Sequence, residues 1–171
     1  YDVPPAMIAV CDNTSIARVL HEFIAEQGRV FPELLQNQPG QEVTLRIDSK
    51  LLDSAEQARE GVTRRQAAEE LRSKVATVGK VGEPGERVRC VVSVGMLTEG
   101  WDAHNVTQIL GLRAFQSQLL CEQVVGRGLR RMNYYDFSVE EYVDVYGIPF
   151  EVIPVKKKPS GPPPPPKETT L

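Results

Sequence analysis

The sequence contains few of the residues that build metal centres and disulfide frameworks. Its 171 residues include three cysteines and two histidines. The cysteines have neither the paired spacing of a zinc site nor an even count for disulfide pairing, and two histidines are too few for a multi-histidine site. We therefore expect no metal ligands, and we interpret the cysteines as reduced, buried residues of a cytoplasmic protein.

Long apolar runs and an excess of one charge are also lacking. No segment approaches the length that spans a bilayer, and no signal-peptide pattern is present, so we expect no membrane contact. Lys and Arg number 20 against 23 Asp and Glu, a formal net charge of −3. Because the chain has no bulk basicity, any binding of nucleic acid would depend on local phosphate donors.

Two motifs that handle nucleotide phosphates are absent as well. The sequence has no Gly-x-x-x-x-Gly-Lys-Ser/Thr loop to cradle phosphates. It also lacks an Asp-Glu-x-His or Asp-Glu-Ala-Asp box to hold magnesium. We expect that a chain of this sequence alone does not hydrolyse ATP.

The most informative segment that is present combines cations and glycines on a predicted helix. In residues 113–131, Gln123, Arg127 and Arg130 are spaced by four and three residues, which places them on one helical face. Planar, forked guanidinium groups suit phosphoryl oxygens, and Gly126 and Gly128 would let a ligand or a second domain approach closely. The alternative is a solvated basic helix end with a glycine C-cap.

A second motif precedes this helix. Residues 89–94 and 106–112 are apolar runs typical of buried strands, and the loop between them contains Leu-Thr-Glu-Gly-Trp-Asp at 97–102. Ligands of α/β proteins collect at the carboxyl ends of parallel strands. We therefore expect the loop to face that edge of a sheet.

Together these segments resemble motifs V and VI of superfamily 2 helicases and translocases, in the branch that contains the Res subunits of type III restriction enzymes. The resemblance covers residues 7–154 and implies an α/β fold, the second RecA-like domain of the motor, with three layers and a mostly parallel sheet. It implies that Arg127 and Arg130 act as catalytic arginine fingers on the γ-phosphate. Gln123 would help to sense the nucleotide, Asp102 would contact the ribose, and Gly100 would permit close backbone approach.

The resemblance also implies partners. ATP and Mg would be held mainly by an N-terminal RecA-like domain, and since the chain begins at Tyr1 without an initiator methionine, we expect it to be a piece of the polypeptide that contains that domain. In type III systems such a motor is joined to a nuclease and works with a Mod-type methyltransferase subunit. The expected substrate is DNA, with duplex DNA preferred.

Nucleic-acid contacts are predicted at the start of the chain and after the next strand. Residues 6–11 read as a strand, and a helix follows whose apolar positions are predicted to pack on the sheet, namely Ile16, Val19, Leu20, Phe23 and Ile24. By position, the start of this helix resembles motif IV, where Asn13 and Thr14 would contact phosphate. Helix capping explains at least one of these residues and is the slightly favoured interpretation for any single one. Ser49 and Lys50 after the strand at 43–47, and Thr98 of motif V, are further candidates.

The remaining segments give the predicted domain plan. Residues 1–135 are assigned to the RecA-like domain, 136–155 to a C-terminal β-hairpin extension around Gly-Ile-Pro, and 156–171 to a proline-rich linker or tail. Helices are predicted within 55–78 and a flexible glycine-rich turn at 78–87.

Two other functional classes stay open. An RNA helicase would share the nucleotide-facing motifs but prefer strands with 2′-hydroxyl groups. A degenerate RecA-like domain would serve only as a scaffold or interaction domain.

Overall fold

The computed structural model of the chain describes residues 3–48, 62–94, 101–112, 118–136 and 138–147, with the backbone alone at 62–65 and 118–121. Within these ranges one parallel sheet runs through the molecule, in the order β2-β3-β1-β4-β5. Its strands are β1 (Ala6–Cys11), β2 (Thr44–Ile47), β3 (Cys90–Val94), β4 (Val106–Leu112) and β5 (Asp144–Gly147).

The central strand β1 is buried on both faces because its residues alternate between two apolar clusters. Ile8 and Val10 point into the larger cluster and Ala9 and Cys11 into the smaller one. Successive apolar residues are therefore required, which explains why this strand reads as a continuous hydrophobic run.

Helices cover both faces of the sheet. On one face lie α1 (Thr14–His21), which continues as a π-helical turn (Glu22–Glu26), and the single-turn α2 (Pro32–Leu35). The other face is covered by α3 (Val62–Ala76) and α4 (Gln118–Gly128). This three-layer α/β arrangement with a parallel sheet confirms the predicted RecA-like fold class. No helix in the described ranges combines the length and apolar character needed to cross a membrane.

The strand β5 differs from the sequence prediction. We expected residues near 142–146 to begin an antiparallel hairpin beyond the core, but β5 pairs parallel to β4 and forms the edge of the same sheet. The reason is that α4 runs back along the sheet between the two strands, so the chain re-enters in the original direction. The second half of the hairpin, at 150–155, and the proline-rich segment 156–171 lie outside the described residues.

The helix α1 also packs differently from the prediction. Ala17 and Ile24 are buried, whereas Ile16, Val19 and Phe23 are 38%, 58% and 43% exposed. Since Ala17 has a short side chain, the helix sits close to β1 and β3 on that side. Leu20 packs on the same cluster as Ala17, whereas Ile16, Val19 and Phe23 point away from it.

The segment between α3 and β3 is an ordered series of turns. Gly79 and Gly82 have φ values of +77° and +78°, and Gly85 is buried against the end of α3. The Gly85 N–H donates to the Thr77 hydroxyl oxygen over 2.9 Å. A glycine-rich sequence thus ends the helix and turns the chain into β3.

Two of the cysteines lie in the interior. Cys11 and Cys90 are buried free thiols. Burial raises the pKa of Cys11 to about 11 and that of Cys90 to about 12. Both side chains are therefore protonated and act as small apolar residues.

Candidate functional site

The described members of the two predicted groups of site residues lie at opposite edges of the sheet. The carbonyl of Asn105 accepts a hydrogen bond from the N–H of Ala6 over 2.8 Å, so the end of the 101–105 loop lies at the amino end of β1. The helix α4 runs against the strand direction and also ends there. The expectation that the Asp102 loop faces the carboxyl edge is therefore wrong for its described part, because the loop has to reach the start of β4.

The arginines of motif VI converge on one backbone oxygen. An Nη1 atom of Arg127 donates to the carbonyl of Trp101 over 2.6 Å, and Nη1 of Arg130 donates to the same oxygen over 3.1 Å. The helix ends at Gly128, so Arg130 lies beyond it rather than on a continuous helical face as predicted. It is the shared acceptor in the loop, more than helical spacing, that brings the two guanidinium groups together.

The carboxylate of Asp102 completes this cluster. Its Oδ1 atom accepts from Nη1 of Arg130 and lies 3.1 Å from Nε2 of His104. Burial acts to raise the pKa of the Asp102 carboxyl, but the hydrogen bond with His104 and the electrostatic effect of Arg130, His104 and Lys80 outweigh it and hold the pKa below its ordinary value. The group is therefore a stable anion at neutral pH.

Arg127 is partly withdrawn from solvent and packs on the only tryptophan of the sequence. Its guanidinium carbon lies 5.9 Å from the ring centroid of Trp101, a cation–π distance. Burial and the adjacent Arg130 cation lower the pKa of Arg127, while Asp102 acts to raise it. Two cations beside one carboxylate give this cluster a net positive charge, which favours an anionic ligand.

Trp101 itself belongs to the core. It is 2% exposed, and its indole N–H donates to the carbonyl of Val75 in α3 over 2.7 Å. The ring thus ties the loop to α3 and supports Arg127. At 2% exposure its ring is packed inside the domain and is not available to stack on a base.

The other predicted residues of α4 have distinct surroundings. Gln123 is exposed one turn before Arg127. At Gly126 a Cβ atom would meet nothing within 4 Å, but at Gly128 it would lie 2.6 Å from Val143 Cγ2 and 3.0 Å from Ile109 Cδ1. Gly128 therefore permits α4 to pack closely on Val143 and Ile109. Of the two glycines, Gly126 is the one that leaves open space for an approaching group.

Arg131 has a structural role that the sequence did not reveal. Its guanidinium donates to three backbone carbonyls in the following loop, those of Asn133, Asp136 and Val139, over 2.9, 3.1 and 2.8 Å. The carboxylate of Glu141 accepts from the N–H groups of Met132 and Asn133 over 2.8 and 2.9 Å. Half-buried and exposed polar contacts thus tie the described residues after Arg130 together.

A cleft of about 480 Å³ opens beside Arg130. Its walls include His104 and Gln108 from the loop and β4, and Gly128 and Tyr142 from α4 and the segment before β5. The volume falls in the range of small-molecule sites, which is about 300–1,000 Å³. The arginine cluster therefore borders an accessible groove.

Two of the predicted nucleic-acid contacts, Asn13 and Thr14, lie at the other edge of the sheet. Asn13 follows β1, and its Oδ1 atom accepts from the N–H of Ile16 over 3.0 Å, so it caps α1. Thr14 is the half-buried first residue of that helix. Ser49, Lys50, Thr98 and Gly100 lie outside the described residues.

Comparisons with known proteins find similarity among solved structures but not among family models or curated proteins. A scan of protein-family models finds no match to the sequence, and a search of curated proteins finds none either. The chain is similar to the Mycobacterium smegmatis helicase Lhr, whose structure was solved bound to single-stranded DNA and AMP-PNP. The identity is 18% and the TM-score 0.44, over 83% of this chain and 14% of the helicase, so the chain spans a small part of that protein.

Proposed function

We propose that this chain is the second RecA-like domain of a cytoplasmic, ATP-dependent DNA translocase or helicase of the type III restriction enzyme Res kind. An N-terminal RecA-like domain of the same polypeptide would hold ATP and Mg. The observation that carries the proposal is the convergence of Arg127 and Arg130 on the Trp101 carbonyl, beside a groove. These arginines would reach the γ-phosphate when the two domains close.

The chemistry of phosphoryl transfer suits this arrangement. Negative charge develops on the transferred group, and positioned cations stabilise it without taking part in bond making. The cluster offers two cations against one carboxylate, and Arg130 already donates to a carboxylate oxygen. A phosphoryl oxygen is an acceptor of the same kind, so domain closure would exchange one acceptor for the other.

The neighbouring residues would contact the rest of the nucleotide. Gln123 is exposed near Arg127 and would sense the phosphates. Asp102 would accept from the ribose hydroxyls once Arg130 turns to the phosphate, and Gly100 would allow close approach of the backbone. This sharing of Asp102 between Arg130 and ribose would couple nucleotide binding to release of the arginine finger.

DNA would bind at the opposite edge of the sheet. There Asn13 and Thr14, at the start of α1, would contact backbone phosphates. Ser49, Lys50 and Thr98 are further proposed phosphate contacts. A net charge of −3 over the chain makes these local donors more important than total charge. Duplex DNA is the proposed substrate, a Mod-type methyltransferase subunit a proposed partner, and 156–171 a proposed linker.

The same contacts favour a second function. Arg127 and Arg130 bind the loop at Trp101 and Asp102 to the end of α4, which is what a structural role would require. In a degenerate RecA-like domain, these arginines would stabilise the fold and would never reach a nucleotide.

Substitution of Arg130 in the intact polypeptide distinguishes the two functions. We expect Arg130→Ala to lower DNA-stimulated ATP turnover by about a thousandfold, because a positioned arginine finger contributes about that much or more. Arg29→Ala is the matched control, since Arg29 is an exposed arginine that follows the π-helical turn, away from both the arginine cluster and the start of α1. Thermal unfolding of both variants checks that they are folded.

Unchanged turnover in a folded Arg130→Ala protein would favour the scaffold. Stimulation by duplex RNA in place of duplex DNA would instead support an RNA-directed helicase.

A further inference from the structure

Both ring nitrogens of His104 lie against groups that only accept hydrogen bonds. Nδ1 is 2.9 Å from the carbonyl oxygen of Arg131, and Nε2 is 3.1 Å from Oδ1 of Asp102. A carbonyl oxygen has no hydrogen to donate, and neither has an ionised carboxylate. Both hydrogen bonds can therefore form together only when both ring nitrogens carry hydrogen, which is the imidazolium cation.

The acceptor state of Asp102 is well defined. Although burial acts to raise its pKa, the His104 hydrogen bond and the surrounding cations hold the pKa of the Asp102 carboxyl below its ordinary value. The carboxylate is therefore ionised throughout the neutral range and cannot supply the missing hydrogen. The hydrogens for both hydrogen bonds therefore have to come from His104.

These two hydrogen bonds join the parts of the proposed site. Asp102 belongs to the loop whose Trp101 carbonyl accepts from both fingers, while Arg131 directly follows Arg130. His104 is therefore the side chain that connects this loop to the backbone of the arginine segment. The same Oδ1 atom of Asp102 that it contacts also accepts from Arg130.

We propose that His104, as an imidazolium cation, is a positioning residue that fixes the Asp102 carboxylate and the Arg131 backbone relative to each other and so sets the position of the arginine pair. This inference rests on the proposed motor function, since the arginine pair has a catalytic task only there. When the ring loses one proton, a neutral imidazole retains a single N–H and one of the two hydrogen bonds is lost.

Other charged and titratable groups surround His104. From the loop and the turn after α3 these are Asp102 and Lys80, and from the segment after α4 they include Arg130 and Tyr134, whose ring meets the imidazole edge-on at 6.2 Å. The groove that His104 lines also contains Arg131, Glu140, Glu141 and Asp144. Among these residue types, histidine is the one that ordinarily changes its charge between about pH 5 and 8.

The test is the pH profile of ATP turnover by the intact polypeptide, with kcat and KM for ATP measured separately from about pH 5.5 to 8.5. We expect wild-type kcat to fall by about threefold to tenfold as the pH is raised across this range, with little change in KM. The reason is that loss of a His104 hydrogen bond misplaces Arg127 and Arg130 and so weakens transition-state stabilisation. His104→Gln should give a kcat that is lower than that of the wild type. Its kcat should also lack the roughly threefold to tenfold fall that the wild type shows as the pH rises. His21→Gln, which alters the other histidine of this chain on the opposite face of the sheet, should keep the wild-type profile.

A flat wild-type profile, or a His104→Gln profile with the same slope as wild type, would overturn the proposal. Imidazole ¹⁵N spectra of the unaltered protein provide a measurement that does not depend on a folded variant. They should show both His104 nitrogens protonated under the conditions in which kcat is highest, and a neutral ring under those conditions would also overturn it. Failure of the motor function itself is recognised separately, because Arg130→Ala would then retain turnover.

Discussion

Three arginines that lie close together in the sequence have different surroundings in the structure. Arg127 packs on the ring of Trp101, Arg130 donates to Asp102, and Arg131 donates to three carbonyls of the loop that follows it. The sequence shows that these positions carry cations and groups Arg127 and Arg130 in one motif, because the motif spans only a few neighbouring residues. It could not assign Arg131 to the backbone, since its acceptors are set by the path of the loop.

At the residue scale, Gly79 and Gly82 form a matched pair. Both have φ near +78°, but a Cβ at Gly79 would lie 2.3 Å from Oδ1 of the buried Asn105, whereas at Gly82 it would meet nothing within 4 Å. We expect Gly82→Ala to cost about 1 kcal/mol from backbone strain alone. Gly79→Ala should cost about 2 kcal/mol more, because Asn105 has to move and its amide also donates to the Pro4 carbonyl.

Urea denaturation of the two variants measures this difference in the free energy of unfolding. Equal destabilisation would show that Asn105 is not held against Gly79.

At the element scale, α4 illustrates what a local motif can and cannot predict. Its existence follows from the sequence, which predicts a helix in residues 113–131. The need for glycine at position 128 depends on Val143 and Ile109, which fill the space that a side chain would occupy. Those two residues come from other elements, so only the folded structure brings them there.

Substitution of the two glycines of α4 separates the role of each. We expect Gly126→Ala to raise the free energy of unfolding by about 0.5–1 kcal/mol, because alanine favours the helix and the site is open. Gly128→Ala should lower it by about 1 kcal/mol or more through overlap with Val143. Thermal unfolding of the two proteins gives the comparison.

The Gly126→Ala variant also tests whether a second domain approaches α4. If the partner domain closes over Gly126, its alanine variant should lose about tenfold in ATP turnover despite its higher stability. Full turnover would place the contact elsewhere.

The orientation of α1 shows a limit of periodicity. Of the five apolar residues predicted to form the buried face, Ile24 is buried and Leu20 packs on the sheet, as predicted. Ile16, Val19 and Phe23 are exposed instead, and Ala17 is fully buried. A helix that places alanine against a sheet can approach more closely and bury more neighbouring surface. Hydrophobicity alone ranks alanine too low to reveal this choice.

At the scale of the whole molecule, stability is expected to be greatest at the centre of the sheet. β1 pairs with both β3 and β4, and its Ile8 and Ala9 are almost completely buried. β5 pairs with β4 in the described residues, spans four residues and is largely exposed. The two strands therefore lie at opposite ends of the range of local stability.

Amide hydrogen exchange followed by mass spectrometry tests this order. We expect peptides from β1 to exchange slowest, through global unfolding, and peptides from β5 to exchange fastest among the strands, through local opening. Equal protection of both strands would indicate that β5 is covered by further structure.

The sequence by itself determined the α/β class, the buried central strands and the identity of the cations, because each depends on residues that are near one another in the chain. It did not determine that Asp102 and the arginines lie at the amino edge of the sheet, or that His104 joins them. Those features depend on the antiparallel path of α4 and on where the loop crosses to β4, which bring together atoms from distant parts of the chain. Tertiary structure decided them because hydrogen-bond partners are selected by position in space and not by position along the sequence.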